Sequence, residues 1–558
     1  MKRNSSILVL AFLALVVAAL CCPSLTYATL EEDQTPLSQG EIDAAIQEGL
    51  VEDESVFAGE PATMANSSYA VRTVAGTDRY ITSSNQALSA FTSSEYAIVA
   101  SGIGYPDSIA AAGLAGALNC PIILTEPSYL RATTKDALVS LGVKHIILLG
   151  SEDVASARVE SELKALLGAG GTFLRLAGVN RYETQMAIYS YGVEHGLWTG
   201  DTAIVTTATD FADALSVSPI SFKLKAPVFF CDDTTTLPTA QYKAVMGCGK
   251  TRFFVIGSAT VTSNQVVDQL SELGTTVRLG GINRWQTSQA INYYAVANLG
   301  FSWDGVAMTS GNKPYDALGG GPVQGVQNSL LALCEEGGSQ QTVTLPFNAH
   351  PSSIVFFGDK AVYTMAFKTK FALALGFDLS DIQGFRVYID AGHGQNNNNN
   401  GAYDPGASAF GYQEATLTRE LAQLVANQLK MSYGIDSYVN DDGGWYKLRQ
   451  AEASNLDCGL FISLHFNASG GTGTEAYIHT YNAASGSSQL RNSCYTNLVN
   501  ALGLRDRGQF AGAFAVLSGK VPATLLEICF IDNQNDMNTY VSRKANVAAG
   551  IARGIATL

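Results

Sequence analysis

The stretch Val71-Arg-Thr-Val-Ala-Gly-Thr-Asp-Arg-Tyr80 returns as Leu174-Arg-Leu-Ala-Gly-Val-Asn-Arg-Tyr182, and again as Val277-Arg-Leu-Gly-Gly-Ile-Asn-Arg-Trp285. The closing arginines, Arg79, Arg181 and Arg284, are 102 and 103 residues apart. A second signature runs in phase: Tyr105-Pro-Asp-Ser108, Phe211-Ala-Asp-Ala214 and Pro314-Tyr-Asp-Ala317. A third is an apolar run closed by glycine: Ile146-Ile-Leu-Leu-Gly150, Phe253-Phe-Val-Ile-Gly257 and Ile354-Val-Phe-Phe-Gly358. Three signatures in one order, three times over, mark a repeat array. Within each repeat, short apolar runs such as 96–100, 121–125 and 144–149 alternate with helical stretches. Runs of this kind suit strands buried on both faces of a parallel sheet, with helices as the crossovers. Three small open α/β repeats are therefore expected, at 71–170, 171–275 and 276–375. The repeated arginines are expected to pair with carboxylates or cap helices inside each repeat. Asp107, Asp213 and Asp316 are expected as helix N-caps. Direct contact with a ligand is the alternative role for both sets.

The 558 residues carry a net charge of −15, unevenly spread. Ten Asp or Glu and no Lys or Arg fall between residues 29 and 70, which reads as a solvated linker with a short helix over 39–49. No basic stripe is present, so nucleic-acid binding driven by phosphate neutralisation is not expected. Lys2 and Arg3, an apolar run over 7–22 and Thr26-Tyr27-Ala28 read as a signal peptide spanning 1–28, with no membrane attachment after cleavage. Seven cysteines follow it, scattered and without a C-x-x-C pair, so buried free thiols are expected rather than a disulfide framework.

From Phe385 onward the pattern changes. Arg386-Val-Tyr-Ile-Asp390 reads as a strand and runs into Ala391-Gly-His-Gly394. His393 thus falls at the carboxyl end of a strand, where α/β sheets place their sites. Gly459-Leu-Phe-Ile-Ser-Leu-His465 is a second buried strand ending in histidine, in a chain with only six histidines. Glu414 opens an amphipathic helix over 415–429. Two histidines and a carboxylate are the usual three ligands of a catalytic zinc site that keeps one position open. Ala523-Thr-Leu-Leu-Glu527 is a third apolar strand and ends in an acid. A carboxylate at that position is costly to bury without a partner or a task. Beside a metal, it can take a proton from water and pass it to a leaving nitrogen.

Two resemblances follow from these residues. Over roughly 71–370 the chain resembles the cell-wall-binding repeat 2 family. This implies a pseudo-threefold unit that holds surface proteins on an anionic secondary polymer of Gram-positive-type walls. Over 384–558 the segments Asp390-Ala-Gly-His-Gly394, Gln413-Glu414, Ser463-Leu-His-Phe-Asn-Ala468 and Pro522-Ala-Thr-Leu-Leu-Glu527 resemble the zinc N-acetylmuramoyl-L-alanine amidases of the amidase 3 type. This implies Zn2+ held by His393, Glu414 and His465, with Glu527 as catalytic acid and base. Arg449, Asn467, Glu475 and Arg507 match further family positions and are carried over as candidate substrate-binding residues. Cys529 stands where the family has glycine, and the asparagine run 396–400 reads as an inserted flexible loop. The fold expected is three tandem α/β repeats followed by one α/β zinc amidase domain. The function implied is that of a secreted autolysin held in the wall by the repeats, cutting peptidoglycan between N-acetylmuramic acid and L-alanine. A zinc peptidase acting within the stem peptide and a catalytically silent wall-bound adhesin remain as alternatives.

Overall fold

The computed structural model describes residues 35–47, 69–231, 236–337, 349–441 and 443–558. The expected signal peptide, 1–28, and most of the acidic linker lie outside the described residues. Two compact units are present, one spanning 57–385 and one built on 386–558, which also takes in the N-terminal helix Gln39–Gln47. Among the described residues, no helix is long and apolar enough to cross a membrane.

The first unit holds three four-stranded parallel sheets. Strand β1 (Val71–Val74) does not join the strands that follow it. The first sheet has β2 (Tyr96–Ser101), β3 (Ile122–Thr125), β4 (His145–Leu149) and β5 (Thr172–Leu176), in the order β3-β2-β4-β5. The second has β6 (Thr202–Thr206), β7 (Val228–Phe230), β8 (Arg252–Ile256) and β9 (Thr275–Leu279), in the order β7-β6-β8-β9. The third has β10 (Ser302–Ser310), β11 (Ser329–Cys334) and β12 (Ile354–Phe357), and is completed by β1 alongside β12. Each sequence repeat therefore opens with a strand that belongs to the preceding sheet, and the first repeat's strand closes the third sheet. The three sheets form a ring. Strand β1 is held on its other side too, where Gln383 N donates to Val71 O and Val71 bridges Ile382.

The central strands are buried over most of their length, β10 over Val306–Ser310, as two-faced coverage by helices requires. The helices Ala112–Leu118, Ala212–Leu224 and Gly320–Gln327, one from each repeat, pack on one another. Their backbones meet closely: a Cβ on Gly116 would lie 1.9 Å from Phe222 O, and one on Gly321 would lie 2.4 Å from Ser218 Oγ. Glycine is the residue that permits such an approach.

Each repeated arginine donates to a carbonyl of its own repeat and lies against a ring of a neighbouring one. Arg79 donates to Gly102 O at 2.7 Å and its guanidinium lies 3.6 Å from the Tyr315 ring centre. Arg181 donates to Ala208 O at 2.6 Å and lies 5.9 Å from Tyr105. Arg284 donates to Gly311 O and lies 5.5 Å from Phe211. The three aspartates are not N-caps, contrary to expectation. Asp107, Asp213 and Asp316 sit inside the first turn of their helices. Their helices have no side-chain cap; Asp78, Asn180 and Asn283, just before the arginines, cap other helices and accept from the first-turn amides of Arg79–Ala90, Arg181–Glu194 and Arg284–Asn298.

Burial, only partly offset by Arg181, pushes the Asp107 carboxyl up to about 6. Burial and the nearby Asp210 do the same to Asp213, against the pull of Thr287 and Arg284. A carboxyl raised in the fold binds its proton more tightly there than in the unfolded chain. Its contribution favours the fold at low pH and is lost as pH rises through about 6. At about 1.4 kcal/mol per pKa unit, the loss is on the order of 3 kcal/mol per site. The double variant Asp107→Asn/Asp213→Asn should therefore melt higher than the parent at pH 7 and no higher at pH 4. Calorimetric melts across that range test this. A variant no more stable than the parent at pH 7 would contradict it.

The second unit is a six-stranded mixed sheet. Its strands are β13 (Arg386–Ala391), β18 (Asp436–Asn440), β19 (Leu460–Asn467), β20 (Thr474–His479), β21 (Asp506–Gly512) and β22 (Ala523–Phe530), in the order β18-β13-β19-β22-β20-β21. Only the β20–β22 pairing is antiparallel. Two short hairpins, β14 (Gly394–Gln395) with β15 (Tyr403–Asp404) and β16 (Ser408–Ala409) with β17 (Tyr412–Gln413), fill the loop after β13. Helices Glu414–Tyr433, Ser487–Leu502 and Gln534–Ala556 cover the sheet, and an apolar cluster including Tyr388, Phe461, Tyr477, Phe514 and Leu525 packs in this unit. In the N-terminal helix, Ala45 packs with Leu37, Trp445 and Leu448. All seven described cysteines are free thiols, and six are buried.

Candidate metal centre

Strands β13 and β19 run parallel and end side by side, which brings His393 and His465 to one edge of the sheet. Gly392 lies between them, and a Cβ there would fall 2.4 Å from His465 Cε1. His393 itself takes a left-handed φ of 67°, a conformation that a non-glycine residue adopts only under constraint. Glu414 is the first residue of its helix, and its carboxylate reaches both imidazoles. Glu414 Oε2 is 3.2 Å from His393 Nε2, and Glu414 Oε1 is 3.1 Å from His465 Nδ1. The two rings are 5.0 Å apart and inclined at 72°. One ligand atom from each of the three residues lies within 4.8 Å of the others, and all three side chains are buried.

The carboxylates and the imidazoles of this cluster stabilise one another's charge. Burial alone would lower His393, but Glu414 and Asp404 reverse this and hold it up at about 10. Burial alone would raise Glu414, yet the two imidazoles hold it well below the usual carboxylate range. Two imidazoles and a carboxylate gathered in this way fit a divalent metal of the zinc type.

The outer partners were not assigned from sequence. Asp404 Oδ2 lies 2.8 Å from His393 Nδ1, and Asp404 also accepts from Asn397 Nδ2 at 2.7 Å and Gly406 N at 2.9 Å. His393, against which burial works, holds Asp404 down at about 2. This leaves His393 Nε2 facing the centre, the arrangement by which a carboxylate orients a metal-binding imidazole. The asparagine run is more ordered than expected. Asn397 is buried, while Asn396 and Asn399 take left-handed φ values of 55° and 53° that asparagine tolerates well.

The remaining candidates divide by location. Glu527 on β22 is in register with His465 on β19 and with Glu475 on β20. Burial, reinforced by the Glu414 and Glu475 carboxylates, drives Glu527 well above the usual range, and its Oε2 is buried without a hydrogen-bond partner. Glu475 is buried and engaged by Arg507, by Tyr477 Oη and by Asn467 Nδ2 at 3.2 Å. Arg449 is 2% exposed and pairs with Asp390. It also donates to His393 O at 2.9 Å and Asn397 Oδ1 at 2.8 Å, so it braces the loop that carries the first histidine. Cys529 is buried, and burial raises its thiol far above the usual range, so it is a packing residue beside the centre.

A family profile described as N-acetylmuramoyl-L-alanine amidase matches residues 387–557, which carry this whole constellation. The amidase CwlM of Bacillus licheniformis is 33% identical over 178 residues, covering 31% of this chain and 67% of its own length. The chain belongs to the N-acetylmuramoyl-L-alanine amidases. A second profile, cell wall binding domain 2, matches 73–160 and 175–267 of the amidase, and the third parallel sheet supplies the third repeat. The N-acetylmuramoyl-L-alanine amidase LytC of Bacillus subtilis is 27% identical over 483 residues, 85% of this amidase and 91% of LytC. The solved structure of Cwp6 from Clostridium difficile shares the fold, with a TM-score of 0.50 over 90% of this amidase and 82% of that chain at 20% identity. The amidase is thus a peptidoglycan hydrolase with cell-wall-binding repeats.

Proposed function

We propose that the enzyme is a zinc amidase in which His393, Glu414 and His465 hold the metal and Glu527 moves the proton. The convergence of the three buried donors beside an unpartnered Glu527 Oε2 carries this reading. Zinc bound there supplies Lewis acidity to a water molecule and to the scissile carbonyl. Glu527 accepts the proton of the attacking water as oxygen bonds to the lactyl carbonyl carbon. The C–N bond to L-alanine then breaks, and Glu527 returns the proton to the departing nitrogen. The products are a lactyl carboxylate on the glycan and a free amine on the stem peptide. Asp404 orients His393, and Arg449 holds the loop that carries it. Asn467, Glu475 and Arg507 form a linked group beside Glu527, and their proposed role, with Arg449, is to bind and orient the substrate. Signal 1–28, linker 29–70, repeats 71–170, 171–275 and 276–375, and catalytic domain 384–558 make up the proposed division of the chain. The enzyme acts outside the membrane, with the repeats on an anionic polymer of a Gram-positive-type wall.

Mass spectrometry of wall digested by the full-length enzyme tests the cut. Stem peptides with a free N-terminal L-alanine and intact glycan strands are expected. New ends within the stem peptide would instead mark a peptidase.

A further inference from the structure

The three junctions of the repeat ring are built on one plan but differ in the residues that precede the repeated aspartate. Three residues before each repeated aspartate stands Gly104 in the first repeat, Asp210 in the second and Lys313 in the third. At the second junction, Asp210 Oδ2 pairs with Arg284 at 2.9 Å. At the third, the Tyr315 ring lies directly on Arg79 at 3.6 Å. At the first, glycine leaves the equivalent space empty: a Cβ on Gly104 would meet only Pro106 Cδ, at 3.8 Å. Tyr105 stands farther off, at 5.9 Å, and among the described residues no carboxylate lies at ion-pair distance from Arg181. The space is a cleft of about 340 Å³ whose lining includes Ile103, Gly104, Asp153, Val179, Asn180 and Arg181. That volume lies in the range of small-ligand sites. Ile103 is 64% exposed and Val179 is 92% exposed, so two apolar side chains stand unpacked at the cleft.

We propose that the cleft between the first and second repeats is where the ring reads the wall polymer, taking a saccharide unit that bears an anionic group. Arg181 binds the anion, Asp153 and Asn180 meet hydroxyl groups, and Ile103 and Val179 cover the apolar faces of the sugar. Asp210 and Tyr315 stand against the corresponding arginines at the other two junctions, so among the described residues Arg181 lacks the partner that the other two have. The proposal rests on the wall-anchoring role of the repeats.

The test is co-sedimentation of the full-length chain, silenced by Glu527→Gln, with purified Gram-positive walls before and after hydrofluoric acid removes phosphate-linked polymer. The Gly104→Asp substitution places at Arg181 the carboxylate that Asp210 gives Arg284, in a space that accepts it. It should weaken binding at least tenfold while the melting temperature stays at that of the parent. Asp210→Gly should leave binding at or above the parent's. Equal binding by the Gly104→Asp chain, or an equal loss in the Asp210→Gly chain, overturns the assignment of the first junction. Equal binding to stripped and intact walls overturns a phosphate-linked polymer as the ligand. Failure of the parent to bind intact walls overturns the anchoring role itself, which separates that outcome from failure of the cleft.

Discussion

The Glu527→Gln enzyme should keep its metal, its fold and its affinity for wall, and should lose turnover by roughly 10²–10⁴-fold. The amide has the shape of the carboxyl group but cannot accept a proton from water. Glu527 lies in register with His465 without serving as one of the three gathered donors, so the metal content should be unchanged. The substitution also removes a carboxylate that burial and its neighbours Glu414 and Glu475 already disfavour, so the melting temperature should hold or rise. Metal analysis, a melt and muropeptide release on one preparation check all three. Wall lysis at the parent rate would remove Glu527 from the mechanism.

The His465→Ala enzyme should fail differently. It loses one of three donors, and Glu414 loses one of the two imidazoles that hold its charge inside the protein. Metal affinity should fall by more than the roughly 10–100-fold typical of losing an outer hydrogen-bond partner. Activity should fall with it, and added zinc should restore little. Asp404→Asn provides the graded comparison: His393 stays in place but loses its orienting carboxylate, so the loss should lie within that smaller range and yield to excess metal. Metal titration of the two variants ranks them. An Asp404→Asn chain weaker for metal than His465→Ala would reverse the assigned roles.

The sheets were legible because a parallel strand covered on both faces leaves an unbroken apolar run, as in 145–149 and 253–256. The histidines were legible as a pair, because one histidine ending a buried strand is ordinarily structural, as His479 is, whereas two beside an acid make a ligand set. What joins the repeats was not. Arg79 meets Tyr315, and no local period links those positions. Each repeated aspartate is the second residue of its helix rather than the cap, a shift too small for sequence to resolve. Asp404 was passed over because its chemistry depends on a loop turning back onto His393. The signal available was that an imidazole offering one nitrogen to a metal needs an acceptor for the other.

The pairing of β1 with β12 has a consequence for how the molecule is made. Val71 lies beside Ile354, so the earliest strand of the unit waits for almost the latest before its edge is filled. Contacts so distant in sequence close slowly. An open solenoid can gain or shed a module and still fold. Here a fourth copy would have no neighbour to receive its strand, and two copies would not meet. The ring closes only when the third module has been made, because the strand that opens the first module pairs there.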